Sequence, residues 1–337
     1  FQNRFSTQNN VRFIKAGVGG TPSELGMIRF DRDVLREGER PDIVVIEFAV
    51  NDEGDETKGV CYESLVRKVL KLPWKPAVVL LFSVFANDWN LQERLRPVGD
   101  LYDLPMVSIR DAVTPQFSLK CGEGRILSKN QFFYDIFHPN NTGHTIMADC
   151  LQYLFERCDA AEPARVGTFV EGMTEEQILS EKLFGPAVIG ADFERIFLLD
   201  KKNRYVGAKI RTGSFTSTDI ELQSVEMDGS LTQTPEFPYN WMYDGSRPQM
   251  PGFEMEITCK SLFLIFKDSG EMDVGKADVF VNDVYCMTAD PHKNNWLHCN
   301  AVLLFWETES RSHKVRIAVT EEDRNKKFTI LGFGYTI

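Results

Sequence analysis

The chain has 337 residues, 43% hydrophobic and 26% charged, an ordinary soluble globular composition with room for two domains. Its net charge of -11 argues against a nucleic-acid surface, which wants a basic stripe, and no apolar run approaches the roughly 20 residues of a membrane-spanning helix. The seven cysteines are odd in number and contain no CxxC pair, which favours reduced thiols and hence a cytoplasmic location over a disulfide framework.

In chain order, Phe1-Gln2-Asn3-Arg4-Phe5 is neither a Met start nor a signal peptide, so an upstream piece carrying any targeting signal is expected. Residues 11–18 read as a short buried strand. Gly19-Gly20 then turns into a helix, with Thr21 as cap, Pro22 in the first turn and Glu24 closing a capping box; its pattern runs to about Gly38. Ile43 to Val50 is a nearly continuous apolar run, as in a parallel strand buried on both faces, and it ends in Asn51-Asp52. Residues 61–71 are helical, Ala77 to Val84 is a second buried strand, and 89–101 is helical. Pro105 to Ile109 is a short strand, and Asp111 to Phe117 is helical. After the loop Asp135-Ile136-Phe137-His138-Pro139, the spacing of Ile146, Met147, Cys150, Leu151 and Leu154 predicts an amphipathic helix to about Cys158. Alternating strands and helices predict an α/β domain with a parallel sheet over 1–160.

Residues 161–186 read as a linker, with a helix from Met173 to Leu183 capped by Thr174. From 187 to 337 the pattern is short strands and turns, which predicts a β-sandwich. The candidate strands are Arg195–Leu199, Gly207–Thr212, Glu221–Met227, Phe253–Thr258, Ser261–Phe266, Ala277–Val281, Ala301–Phe305, Lys314–Val319 and Phe328–Tyr335. Val281-Asn282-Asp283 is a hairpin signal.

Three features of the first domain follow strand ends, where open parallel sheets bind ligands. Gly20 can aim a backbone N–H at an oxyanion, and the Asn51 amide can add a second donor. Asp135 precedes His138 by three residues and can orient its imidazole, leaving the far nitrogen to take and return a proton. Each also has a plain reading, as a tight turn, an Asx-turn and a surface loop. His144 reads as a helix-start residue and Ser23 as a capping residue, and Ser6 has no motif around it. His292, His298 and Cys299 are zinc-ligand types, but their spacing matches no usual site, so no metal is assigned. Trp241, Tyr243, Tyr239 and Trp296 lie in turn-rich stretches, where aromatics either stack on sugars or pack a core.

Taken together, Ala16-Gly17-Val18-Gly19-Gly20-Thr21, Phe48-Ala49-Val50-Asn51-Asp52 and Asp135-Ile136-Phe137-His138-Pro139 resemble the second, third and fifth blocks of SGNH/GDSL hydrolases, across roughly residues 10–158. The resemblance implies a three-layer α/β/α, flavodoxin-like hydrolase domain, here followed by a jelly-roll-like β-sandwich. It implies Gly20 and Asn51 in the oxyanion hole, His138 as general base and Asp135 as its orienting acid. Ala49 stands where the family usually has glycine. The family's first block, with the nucleophilic serine and the first strand, would precede residue 11 and is not in this sequence. An upstream segment carrying both is therefore expected. With a β-sandwich attached, the domain resembles bacterial carbohydrate esterases that remove acetyl groups from plant polysaccharides. The implied function is a serine esterase acting on O-acyl esters of carbohydrate, with no cofactor and a small-molecule or oligosaccharide substrate, as monomer or homo-oligomer. The alternatives are a carbohydrate-binding protein without catalysis, and a lipase or thioesterase on the same scaffold.

Overall fold

The computed structural model describes residues 11–36, 38–160, 173–225 and 234–337. The chain divides into two compact units. One holds Arg40–Glu194, the other Arg12–Glu39 together with Arg195–Ile337. No helix among the described residues is long and apolar enough to cross a membrane.

The first unit is built on three parallel strands in the order β1-β2-β3: β1 (Ile43–Glu47), β2 (Ala77–Phe82) and β3 (Met106–Ser108). Ile43 pairs with Ala77, and Leu80 with Met106. Its helices are α2 (Val60–Leu70), α3 (Gln92–Tyr102), α4 (Ile109–Phe117), the single turn α5 (Lys129–Phe132), α6 (Asn141–Ala160) and α7 (Glu175–Phe184). β2 is the middle strand, and Val78 to Phe82 are all buried, as its apolar run requires. β1 departs from expectation. Ile46 is buried, yet Ile43 and Val45 are 37% and 45% exposed, because β1 has a partner on one edge only among the described residues. Residues 11–18 form no strand for a related reason: a strand needs a neighbour for its ladder, and here they pair with none among the described residues.

The segment after α7 closes onto α2 through a buried carboxylate. Glu63 accepts the backbone N–H groups of Val188 (3.0 Å), Ile189 (2.5 Å) and Gly190 (2.9 Å), and the Tyr102 hydroxyl at 2.7 Å. One turn on, Arg67 donates to the Leu183 carbonyl, to Glu194 and to Tyr102. Burial and the neighbouring Glu63 carboxylate push the Tyr102 phenol well above its ordinary pKa, so it stays a donor. Thr174 caps α7 as predicted, in a capping box with Gln177.

The second unit carries an antiparallel sheet of eight strands, β4 (Phe197–Leu199), β5 (Ala208–Arg211), β6 (Trp241–Tyr243), β7 (Phe253–Asp268), β8 (Ala277–Val281), β9 (Val284–Ala289), β10 (His298–Val319) and β11 (Phe328–Thr336), with the main order β4-β11-β7-β10-β8-β9. The paired expectations at 253–258 with 261–266, and at 301–305 with 314–319, merge into two long strands. β10 follows β7 along its length, and bulges after Leu303 and Trp306 absorb the bend. In β7, Phe253, Met255, Ile257 and Cys259 alternate inward, whereas every residue from Ser261 to Asp268 is buried. Asn282 and Asp283 both have positive φ, 53° and 64°, so the predicted hairpin is a two-residue turn of the twist-matching kind. The expected strand at Glu221–Met227 is reduced to a single bridge, Ser224 to Pro235; Met227 lies outside the described residues, as does Ser6.

Helix α1 (Ser23–Phe30, continued by a wider turn to Leu35) belongs to this second unit. It lies against β11 so closely that a Cβ on Gly334 would come within 2.5 Å of the Ile28 side chain. Its start differs from expectation: Pro22 occupies the cap position, and the Thr21 hydroxyl donates back to the Val18 carbonyl at 2.8 Å. Buried charges tie α1 down. Arg29 and Arg32 donate to Asp33 at 2.8 and 2.6 Å, and Arg32 also reaches Glu236. Burial raises the Glu236 carboxyl to about 7, against the pull of Arg32. A raised acid stabilises the fold fully below its unfolded pKa and loses that contribution as pH rises through its folded pKa. Unfolding of wild type and Glu236→Gln in denaturant should therefore diverge between pH 4.5 and 7.5. Wild type should lose stability relative to the variant over that window.

Candidate active site

Asp135 and His138 lie on the loop between α5 and α6. The loop is closed by a bridge between Phe133 and Pro139, and by the Tyr134 N–H donating to the His138 carbonyl at 3.1 Å. Pro139 ends the extended stretch, and Asn140 starts α6 by accepting the Gly143 N–H at 3.0 Å. Asp135 turns the chain onto itself: its Oδ1 accepts the N–H groups of Phe137 and His138, each at 2.7 Å. The same carboxylate meets His138 Nδ1 at 2.8 Å through Oδ2 and 3.1 Å through Oδ1. The hydrogen bond from His138, with the two backbone N–H groups, holds the Asp135 carboxyl below the usual carboxylate range. A carboxylate at Nδ1 selects the tautomer with a proton there, which leaves Nε2 as the basic nitrogen. The His138 side chain is 60% exposed, so that nitrogen is accessible to a substrate.

Asn51 sits at the end of β1, in a turn where the N–H groups of Asn51 and Asp52 both donate to the Phe48 carbonyl, at 3.1 and 3.0 Å. Asn51 is half-buried and Asp52 fully buried. Just before it, Glu47 accepts the Ala49 N–H at 3.1 Å, and burial lifts its carboxyl to about 7. The loop following β2 joins this end to the histidine loop. Leu91 N–H donates to the Ala49 carbonyl at 2.8 Å, and Ala86 N–H to the Ile136 carbonyl at 3.0 Å. Asn51, Asp135 and His138 thus all belong to the first unit, on loops tied by one intervening segment.

Gly20 belongs to the second unit. Its φ of +69° suits glycine, and an added Cβ would lie 3.0 Å from the Trp296 ring and 3.4 Å from His298. Gln223 braces this turn: its amide donates to the Gly19 carbonyl at 2.9 Å and accepts the Cys299 N–H at 3.0 Å. Gly20→Ala should cost about 1–2 kcal/mol of stability, from the left-handed backbone alone, as read by urea denaturation. His298 is buried under Trp296, with ring centroids 4.6 Å apart, and burial lowers its imidazole to about 4. No short-range signal in the sequence marks Gln223 or His298 as neighbours of the Gly20 turn; strand pairing in the second unit brings them there.

The remaining candidates resolve by burial. Trp241 and Tyr243, each 4% exposed, are core residues of the eight-stranded sheet and present no face to a sugar; Trp296 is 46% exposed and Tyr239 44%. Ser23 is fully buried, and the His144 N–H donates to Asn140 in the first turn of α6. His292 bonds the Glu271 carbonyl while His298 and Cys299 are buried, and no three ligating side chains cluster for a metal among the described residues. A cleft of about 650 Å³ lined by Gln116, Asn130, Asn140, Ile146 and Cys150 among others lies behind the α6 start and includes neither Asp135 nor His138.

No protein-family model matches the chain, and no curated protein matches its sequence. Solved structures do. A two-domain esterase (CEX) active on acetylated mannans, co-crystallized with mannopentaose, superposes with a TM-score of 0.70 at 23% identity, covering 96% of this chain and 80% of that one. A second crystal structure of a two-domain esterase (CEX) active on acetylated mannans gives a TM-score of 0.70 at 21% identity, covering 96% and 79%. The chain, an α/β unit with a parallel sheet and an antiparallel β unit, therefore has the fold of that two-domain esterase.

Proposed function

We propose that the protein is a serine esterase that removes O-acyl groups, acetyl foremost, from carbohydrate. The observation that carries this reading is the Asp135–His138 pair, 2.8 Å apart on the loop between α5 and α6, with the His138 side chain 60% exposed. The substrate class follows the fold neighbour, an esterase active on acetylated mannans. In this reading the serine hydroxyl gives its proton to His138 Nε2 as its oxygen attacks the ester carbonyl. The Asn51 amide takes the oxyanion, the sugar alkoxide leaves with the proton from His138, and water repeats the sequence on the acyl-enzyme. Trp296, half-exposed over Gly20, is the carbohydrate contact of the second unit in this proposal.

In this reading the serine comes from outside the described residues. The edge of β1 that no strand covers among the described residues, with Ile43 and Val45 exposed on it, supports this. A carbohydrate-binding protein without turnover is the second reading, favoured by one observation: among the described residues no serine bonds His138. Expression with the native upstream segment and an assay of p-nitrophenyl acetate hydrolysis separates the two. Turnover supports the esterase, and an inert, folded, sugar-binding chain supports the second reading.

A further inference from the structure

The loop after β2 contributes backbone to the site, but the mechanism above uses none of its side chains. It spans from Ala49, two residues before Asn51, to Ile136, between Asp135 and Phe137. Lys129 fixes it by donating to the Ala86 carbonyl at 2.6 Å and pairing with Asp88 at 3.3 Å. What it presents between the two site loops is aromatic. The rings of Phe85 and Trp89 stack, 5.5 Å apart and 19° from parallel. Phe137 meets Phe85 edge-on at 5.2 Å, and its own ring lies 6.2 Å from the His138 imidazole. Phe137 is 49% exposed and Phe85 and Trp89 are half-buried, so the cluster is only partly covered. Its surroundings are polar: Asn87 and Asp88 are exposed beside it, and Asp135 is on the adjoining loop.

We propose that Phe85, Trp89 and Phe137 form a subsite for an uncharged pyranose ring of the substrate, next to the ring that carries the acyl group. A pyranose has an apolar C–H face and a polar rim of hydroxyls. Aromatic rings bordered by an amide and carboxylates match both at once. A charged sugar fits less well, because Lys129, the cation that fixes this loop, is already engaged by Asp88 and the Ala86 carbonyl. A lipid chain would want a continuous apolar track, which Asn87 and Asp88 interrupt.

This inference rests on the carbohydrate reading above but is tested without catalysis. Mannopentaose and cellopentaose are titrated into the full chain and followed by calorimetry and tryptophan fluorescence. Wild type is expected to bind at least one of them. Phe137→Ala and Trp89→Ala should each weaken that binding about tenfold, the worth of one stacked ring, while Trp89→Phe and Phe137→Tyr retain it. Circular dichroism checks that the folds match; the exposed Phe137 keeps the test alive if a Trp89 variant misfolds. Unchanged affinity in both alanine variants, or no binding by wild type, overturns the subsite. The esterase reading is judged separately by p-nitrophenyl acetate, which needs no sugar. Loss of that activity with ring-dependent binding intact would remove catalysis and leave the subsite standing.

Discussion

His138→Ala, made in the chain with its upstream segment, is expected to lower p-nitrophenyl acetate hydrolysis about 10⁴-fold. The serine hydroxyl is a poor nucleophile until a base takes its proton, and His138 Nε2 is the imidazole nitrogen that Asp135 leaves free for that task. Because His138 is exposed on a loop closed by backbone bonds and by Asp135, the fold should survive, with an unchanged far-ultraviolet spectrum. Asp135→Asn should cost about 10²–10⁴-fold by a different route: an amide facing Nδ1 with its N–H stabilises the tautomer whose proton sits on Nε2, where the base must be empty. Asp135 also accepts the Phe137 and His138 N–H groups, so part of its loss will be positional. Turnover within tenfold of wild type in His138→Ala would sink the proposed mechanism.

Glu63→Ala should destabilise the first unit by about 3–5 kcal/mol, a large share of the 5–15 kcal/mol that holds a typical domain. The reason is arithmetic of donors rather than charge alone. Three consecutive backbone N–H groups, from Val188, Ile189 and Gly190, converge on this one buried carboxylate, and the Tyr102 hydroxyl joins them. Removing it leaves these part-buried donors without their acceptor, each costing up to about 1–3 kcal/mol if left unmade. It also removes the acceptor for the Tyr102 hydroxyl, which itself accepts from Arg67. Urea unfolding followed by circular dichroism reads the effect. A change below 1 kcal/mol would mean that residues 188–190 are held by their other contacts. Glu63→Gln, which keeps one acceptor, should fall between.

Much of this molecule was legible from local pattern. The run Ala77–Phe82 is apolar at every position because it is the middle strand, and no other environment in an α/β sheet favours that. Thr174 announced a helix start, and Val281-Asn282-Asp283 announced a hairpin, because both signals depend only on bonds within a few residues. Asp135 and His138 meet for the same reason: they are three residues apart on one turn. Where pairing reaches far along the chain, local pattern failed. Residues 11–18 have the composition of a buried strand, but composition supplies no partner, and among the described residues the segment has no ladder. Ile43 and Val45 are exposed on β1 for the same cause. The break expected near 258–261 vanished because β10 carries β7 straight through it.

The sequence by itself therefore determined the α/β class of the first unit, the strand-rich character of the second, and the histidine–carboxylate pair within one turn; the loop that carries the pair joins two helices rather than following a strand. Only the tertiary structure decided that the Gly20 turn travels with the β unit, braced by Gln223 and covered by Trp296 from more than 200 positions away. It alone turned Trp241 and Tyr243 inward, and brought Phe85 and Trp89 alongside Phe137. The physical reason is common to all three: each depends on which distant segments share a sheet or a loop, and that choice is made by collective burial rather than by the residues on either side.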